Sequence, residues 1–228
     1  MFNHFKKKKT KLEMLWENPN LVKLDIGCGN NKKQGFIGID IYDGEGIDHV
    51  LDMEKDRLPF DDDSVDFVFS NHAFEHITAP QNILREIVRV CKHKAMVEIW
   101  TPYLKSNDAF LLGHDSFYNE NIWKHICYLY DDFYFGDTKG RFELKYFQYI
   151  LYPQIEKQLE KLNIPFVFAL DHMFNIALEF AAVIEIDKTV AHAKNPQIPG
   201  ISVAYSRNMT FMGKLKHQFL KRFNHPWR

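Results

Sequence analysis

Four short polar clusters interrupt the apolar runs in the first half of the chain, and their residue types are those of a ligand site. They are Asp25-Ile26-Gly27-Cys28-Gly29-Asn30, Asp40-Ile41, Asp52-Met53 and Asn71-His72. Each closes a stretch that reads as a β-strand, and in open α/β sheets ligands bind outside the carboxyl ends of the strands. Gly27 and Gly29 let the backbone turn sharply and come close to a ligand. A G-x-G alone is a common strand-to-helix turn, so the acids at three successive strand ends are the informative addition. Lys32 fills the third position of a would-be G-x-G-x-x-G, and no G-x-x-x-x-G-K-[ST] occurs. The turn is therefore neither a dinucleotide fingerprint nor a phosphate loop. Three carboxylates repel a pyrophosphate; they suit a ligand with hydroxyls, an exocyclic amine and a positive centre. Asp40 can accept from the two hydroxyls of a ribose and Asp52 from an adenine amino group, with Asp25 and the glycine turn beside an amino-acid moiety. An adenosyl-sulfonium compound has all of these parts.

The elements that must position these residues follow from the apolar pattern. Buried-strand runs cover 21–26, 36–41, 48–53, 65–70 and 95–101. Between the last two, Ile83, Leu84, Ile87, Val88 and Cys91 recur at helical spacing, which predicts a helix over about 80–91. Strands apolar along most of their length and separated by helices argue for a parallel sheet covered on both faces. Only nine residues separate Ile26 from Phe36, whereas a parallel crossover usually takes about a dozen or more. The first crossover helix is thus a single turn or absent. Downstream, 115–129 reads as helical, 142–152 as an aromatic strand, 153–162 as a short helix and 180–186 as a late strand. The long stretch 153–180 reads as a cap over the substrate. A short helix is expected over 11–16.

The run from Val22 to Tyr103 resembles the class I S-adenosylmethionine-dependent methyltransferases, in particular the small-molecule branch with a "methyltransferase type 11" core. The residues that carry the likeness are L-D-I-G-C-G-N at 24–30, G-I-D-I at 38–41, L-P-F-D-D-D-S-V-D-F-V at 58–68, S-N-H-A-F-E-H-I at 70–77 and L-R-E-I-V-R-V at 84–90. The resemblance implies a Rossmann-like α/β sheet in which the fifth strand is followed by a helix and an antiparallel strand pair. It also implies S-adenosylmethionine as cofactor, contacted by Gly27, Cys28, Gly29, Asp40, Ile41, Asp52, Met53 and Asn71; Asp25 and Asn30 flank the same turn. The chain departs from the family pattern in its truncated first crossover and in Asn31, where many relatives have a third glycine. Gly113-His114-Asp115-Ser116-Phe117-Tyr118 resembles a stretch after the fifth strand in some sugar and cell-surface precursor methyltransferases. The expected architecture is one methyltransferase domain over 1–228, with a core at about 20–187, the cap at 153–180 and a basic tail at 188–228.

Methyl transfer is an in-line displacement, for which the enzyme mainly holds the acceptor against the methyl group. An oxygen acceptor also has to lose a proton. His72, just past the fourth strand, and His114, beyond the fifth, are the candidate bases, since imidazole titrates near neutrality. His72 reads equally as a cofactor contact. His76, following Glu75 at a helix start, reads as packing or capping, and His125 and His172 sit on apolar helical faces. Ser70-Asn71-His72-Ala73 stands where an exocyclic-amine methylase would carry N/D-P-P-Y/F, so nucleic acid is not the expected substrate. The expected acceptor is a small molecule, a sugar or another biosynthetic intermediate, methylated on oxygen. Two rivals are an RNA or protein methyltransferase that docks through basic ends and a non-catalytic adenosyl-binding module.

Charge is distributed unevenly. The net charge of −1 combines five lysines and no acid in 1–11, eight Lys or Arg and no acid in 188–228, and 16 basic residues against 30 acids between them. Such ends serve either as solubilising tails or as contacts for something anionic. Phe211, Leu215, Phe219 and Phe223 recur every four residues among Lys214, Lys216, Lys221 and Arg222. This predicts a basic amphipathic helix that lies on an anionic membrane surface or packs on its own domain or a second subunit. No apolar run approaches the ~20 residues of a membrane span, and the N-terminus lacks the apolar segment of a secretory signal. Cys28, Cys91 and Cys127 have no metal-ligand spacing, so the expectation is reduced thiols in a cytoplasmic protein with neither disulfides nor a zinc site.

Overall fold

In the computed structural model, residues 10–189, 200–204 and 220–223 are described. The first half of the chain lays down strands β1 (Lys23–Ile26), β2 (Ile37–Asp40), β3 (His49–Val50), β4 (Val65–Asn71) and β5 (Cys91–Pro102), all parallel. The second half adds β6 (Arg141–Leu151) and β7 (Ala177–Asp187), with β7 antiparallel to both β5 and β6. β8 (Gly200–Ala204) runs parallel to β6, and β9 (Leu220–Phe223) pairs antiparallel with β8. The sheet order is β3-β2-β1-β4-β5-β7-β6-β8-β9. Its left half is the doubly wound order of Rossmann-type folds, and the antiparallel β7 inserted between β5 and β6 is the strand pair that the resemblance implied.

Alternation along the strands divides the core in two. Val97 and Ile99 of β5, with Phe180, Ala182 and Ile184 of β7, face the larger core, which α2 (Gln81–Val90) covers with Ile83, Leu84, Ile87 and Val88. Phe67, Phe69, Met96, Trp100, Ala181 and Val183 face the other way, where α1 (Lys11–Glu17) lays down Leu12, Leu15 and Trp16. α1 begins on a capping box: Thr10 and Glu13 exchange side-chain-to-backbone hydrogen bonds. The Trp16 ring lies 4.8–5.6 Å from the rings of Phe36, Phe67 and Phe69, and its Nε1 donates to Glu98 at 2.9 Å.

The first crossover is a single 3₁₀ turn, Gly29–Asn31, as the nine-residue spacing required. Elsewhere boundaries move. α2 runs straight into β5 at Cys91, and regular pairing resumes at Met96 after a bulge that includes Lys94 at φ 67°. The helix expected over 115–129 begins only at Glu120, because the Asn119 side chain caps it by accepting from the Ile122 amide. It is then broken into α3 (Glu120–Lys124), a π turn over His125–Leu129 and α4 (Asp131–Phe135). The cap is shorter than expected: α5 (Ile155–Lys161) and α6 (Phe166–His172) fill it, and β7 begins at Ala177. The cap lies over the loop after β5, where Lys105 Nζ donates to the carbonyls of Leu170 and Asp171 at 2.7 and 2.8 Å.

The tail helix expected over 211–223 is corrected at its end, where Leu220–Phe223 is strand β9. A run of four residues is too short for periodicity to separate strand from helix, and the edge of the sheet at β8 offers backbone partners that a lone helix lacks. Residues 205–219 of that stripe, and the basic run 1–9, lie outside the described residues. Among the described residues no helix is long and apolar enough to cross a membrane.

Glu185 of β7 pins α1 to the sheet by accepting from Lys11 Nζ at 2.6 Å, and it also pairs with Lys94 at 3.0 Å. Burial alone would raise its carboxyl, but Lys11 and Lys94 outweigh that and hold it down at about 2. A carboxylate lowered on folding contributes stability that is present above the ordinary glutamate range, near pH ~4.3, and is lost as pH falls toward its folded value. The expected outcome for Glu185→Gln is a melting temperature below wild type at pH 7 that converges on wild type by about pH 2. Melting curves across that range check it.

Candidate cofactor and acceptor site

The turn after β1 is built by close approach. Gly27 sits at φ 69°, and a Cβ there would stand 2.1 Å from the Ala73 Cβ, beyond the end of β4. The amides of Gly27 and Cys28 both donate to the Ile39 carbonyl, at 2.7 and 3.2 Å, which locks the turn to β2. Gly29, at φ 47°, differs: a Cβ there would meet nothing within 4 Å, so the turn opens on free space. Its amide donates to Asp40 Oδ2 at 2.8 Å. Asp40 thus stands at the end of β2 directly against the glycine turn, and each of its oxygens keeps lone pairs for a second donor.

The other residues expected at the cofactor take distinct places. Asp25 is buried; burial raises its carboxyl despite the Lys33 amide that donates to it at 2.8 Å. Burial, with Asp25 and Asp40 nearby, pushes the Cys28 thiol up to about 11, so it is a neutral packing group. The Asn30 side-chain oxygen lies against the Gly44 loop. Ile41 is half exposed just past Asp40. Met53 is buried, with its Cε 3.7 Å from where a Gly27 Cβ would be. Asp52 lies in the turn after β3, accepting from Lys55 Nζ at 2.6 Å and the Glu54 amide at 3.0 Å. Asn71 ends β4 opposite Trp100. The open Gly29 cradle, Asp40 beside it and the apolar Ile41 and Met53 along the strand ends fit an adenosyl ligand bearing ribose hydroxyls.

At the acceptor side the two candidate bases differ sharply. His72 is held at φ 54° with Nδ1 3.0 Å from Glu75 Oε1 and Nε2 3.2 Å from Glu179 Oε2. Burial opposes its charge, but Glu179 and Glu75 outweigh that and raise it to about 10. It is therefore an imidazolium with both nitrogens engaged. His114 lies on the loop after β5, its ring centroid 5.0 Å from that of His76. Four hydrogen bonds clamp this loop to the turn after β4: Asp115 N and Ser116 N to the Glu75 carbonyl at 2.8 and 3.0 Å, Ser116 Oγ to the Ile77 carbonyl at 2.6 Å, and His76 Nδ1 to the Gly113 carbonyl at 2.7 Å. His72 and His114 thus both lie close to Glu75.

Sequence reasoning missed Glu75 and Glu179. An acid before a histidine at a turn reads as a cap, and Glu179 fell inside the expected cap segment; only pairing with His72 reveals either. Two surface concavities, lined by Arg57–Asp62 and by Arg85, Arg89, His93 and Lys188, involve none of these residues.

Residues 24–99 match the family model described as "Methyltransferase domain". Among solved structures, the chain is similar to a SAM-dependent methyltransferase from Archaeoglobus fulgidus, with 18% identity over 73% of this chain and 87% of that one and a TM-score of 0.50. It is also similar to the YcgJ protein from Bacillus subtilis, with 14% identity, 78% and 98% coverage and a TM-score of 0.47. A third likeness is to an S-adenosylmethionine-dependent methyltransferase from Mesorhizobium loti, with 12% identity, 72% and 90% coverage and a TM-score of 0.46. No curated protein matches the chain. The fold is that of the class I methyltransferases. The family match over the glycine turn and strand ends makes residues 24–99 a methyltransferase domain.

The two glycines of the turn separate fold from ligand. Gly27→Ala combines a positive φ with a backbone-proximal clash and should cost roughly 3 kcal/mol or more of stability. Gly29→Ala should cost about 1–2 kcal/mol and weaken S-adenosylmethionine binding, because its methyl group enters the open cradle. Urea unfolding and calorimetry on both variants check the contrast.

Proposed function

We propose that the protein transfers the methyl group of S-adenosylmethionine to an oxygen of a small molecule, a sugar or another biosynthetic intermediate. The acceptor is held at the corner between β4 and β5 where Glu75, His76 and His114 converge. The observation that carries this reading is the contrast between the two histidines. His72 has neither ring nitrogen free, so it positions Glu75, whereas His114 presents a nitrogen with a lone pair at the clamped loop. The cofactor supplies a methyl group on a positively charged sulfur, a good leaving group. Asp40 and the Gly29 cradle hold the adenosine end, and the clamp fixes the acceptor corner against it, the kind of positioning on which in-line transfer depends.

The Asp40→Ala variant is expected to stay folded and bind S-adenosylmethionine at least tenfold more weakly, about 1.4 kcal/mol. His114→Ala is expected to lower kcat on an oxygen acceptor by about 100-fold while leaving cofactor affinity within about twofold. Calorimetry and turnover on a panel of sugars and phenols check both. Wild-type kcat in His114→Ala would remove the histidine corner from the reaction.

A second reading, an acceptor with an apolar tail, is favoured by the loop that carries His114. Leu112 is fully exposed at its tip, and Phe110, Leu111, Phe117 and Phe174 stand exposed around it, with the Phe110 ring 5.4 Å from Phe117 and 6.1 Å from Phe174. Exposed apolar clusters of this kind mark binding surfaces. Under this reading Leu112→Ser raises KM for a prenyl- or acyl-bearing acceptor without changing KM for its water-soluble headgroup. The rival that docks RNA or protein rests on the basic ends, most of which lie outside the described residues; of the described lysines there, Lys11 pairs with Glu185 and Lys188 with Asp63.

A further inference from the structure

The corner that holds the acceptor also has the makings of a metal site. Glu75, His76 and His114 each offer one ligand atom, and the three atoms lie within 4.8 Å of one another. Two independent observations point to an ion there. Glu75 is only 2% exposed, yet its Oε2 has no hydrogen-bond partner, because His72 takes Oε1. A buried polar atom without a partner costs roughly 1–3 kcal/mol, more when charged, and a cation at Oε2 offsets that cost.

The second observation is the tautomers. Nδ1 of His76 faces the Gly113 carbonyl at 2.7 Å, and Nδ1 of His114 faces the Ala109 carbonyl at 3.3 Å. A carbonyl can only accept, so in both rings the proton sits on Nδ1 and the lone pair on Nε2. Donation of the second ring nitrogen to a backbone carbonyl is how metal-bound histidines are oriented. Glu75 is oriented in the same way, by His72 and Glu179 behind it.

We propose that Glu75, His76 and His114 bind a divalent transition-metal ion whose open coordination positions take the acceptor hydroxyl. Two imidazoles and one carboxylate suit zinc and its first-row neighbours and leave positions free for a substrate. Bonds of about 2.0–2.2 Å require the three ligand atoms to draw together. His76 is exposed and His114 half-buried, so both side chains can turn inward. The inference rests on the oxygen-acceptor reading and replaces a free imidazole by Lewis-acid activation. The hydroxyl proton leaves to solvent and the oxygen bonds to the methyl carbon. The carbon–sulfur bond breaks with its electron pair kept by sulfur, and no oxidant or reductant is consumed.

Cobalt(II) and zinc(II) titrations of the chelator-stripped full chain, without cofactor, test the site. We expect one equivalent bound, visible cobalt absorption of a histidine-containing site, and at least tenfold weaker binding in His76→Ala and His114→Ala. These variants change accessible side chains; Glu75→Gln is the buried third, and a melting curve establishes that it is folded. The proposal is overturned if cobalt binds without saturation, or if the two histidine variants bind as wild type. Turnover on an oxygen acceptor that survives chelation overturns the role in catalysis. S-adenosylmethionine calorimetry on the same samples, and product analysis showing methyl on nitrogen or carbon, identify failure of the oxygen-acceptor reading separately, since ion binding would then persist.

Discussion

The chain of contacts Glu179–His72–Glu75 organises the functional end of this molecule. A carboxylate as buried as Glu75 is tolerated only if its charge is met, and His72 meets it while bonding Glu179 on β7 with its other nitrogen. The main-chain carbonyl of Glu75 at the same time accepts both amides that hold the loop after β5. One residue therefore joins the end of β4, the start of β7 and the His114 loop. The left-handed backbone of His72 accompanies that geometry, in which the ring lies between Glu75 of the turn after β4 and Glu179 of β7. Such strain persists where the surroundings over-determine it.

The cofactor turn is tied to the same corner by contact rather than by charge. Gly27 and Ala73 pass so closely that no side chain fits between them, and Ala73 lies between His72 and Glu75 in sequence. A shortened crossover makes this possible: with only a 3₁₀ turn after Gly29, the turn is anchored by Ile39 and Asp40 of the neighbouring strand instead of by a helix. The amides that a longer helix would aim at an anionic group are partly used up in that anchoring. Under the proposed function, cofactor recognition accordingly leans on Asp40 and the open face of Gly29.

Much of this was legible in the sequence where the signal is local. The strand runs 21–26 and 65–70, the helix at Ile83–Cys91 and the impossibility of a full first crossover all follow from apolar spacing and chain length. So does Asp40, because acids at strand ends have a directional chemistry. What the sequence hides is pairing at a distance. Glu75 looks like a capping residue until Glu179, far along the chain, is seen across His72. His76 and His114 look unrelated until the clamp brings their rings together, nearly perpendicular. The tail shows the opposite weakness: Leu220–Phe223 fits a helical stripe and a strand equally, and only the open edge beside β8 decides. The helix over 115–129 is shorter at its start than the sequence suggests, because the Asn119 side chain caps it and the helix begins at Glu120.

α1 has a consequence beyond packing. It is the sole described helix on its face of the sheet, and beneath it lie Phe36, Phe67, Phe69 and Met96. Its attachment is one aromatic contact cluster and a few polar anchors, among them Lys11 to Glu185 and the Lys94 carbonyl, Trp16 to Glu98 and Lys23 to the Trp16 carbonyl. A seven-residue helix held this way opens more readily than the strands it covers. Every opening bares a flat aromatic surface at the middle of the sheet. A proteolytic cut or an internal translation start past Trp16 would leave a protein whose catalytic end is intact and whose back is adhesive, so its failure would show as self-association before any loss of cofactor binding.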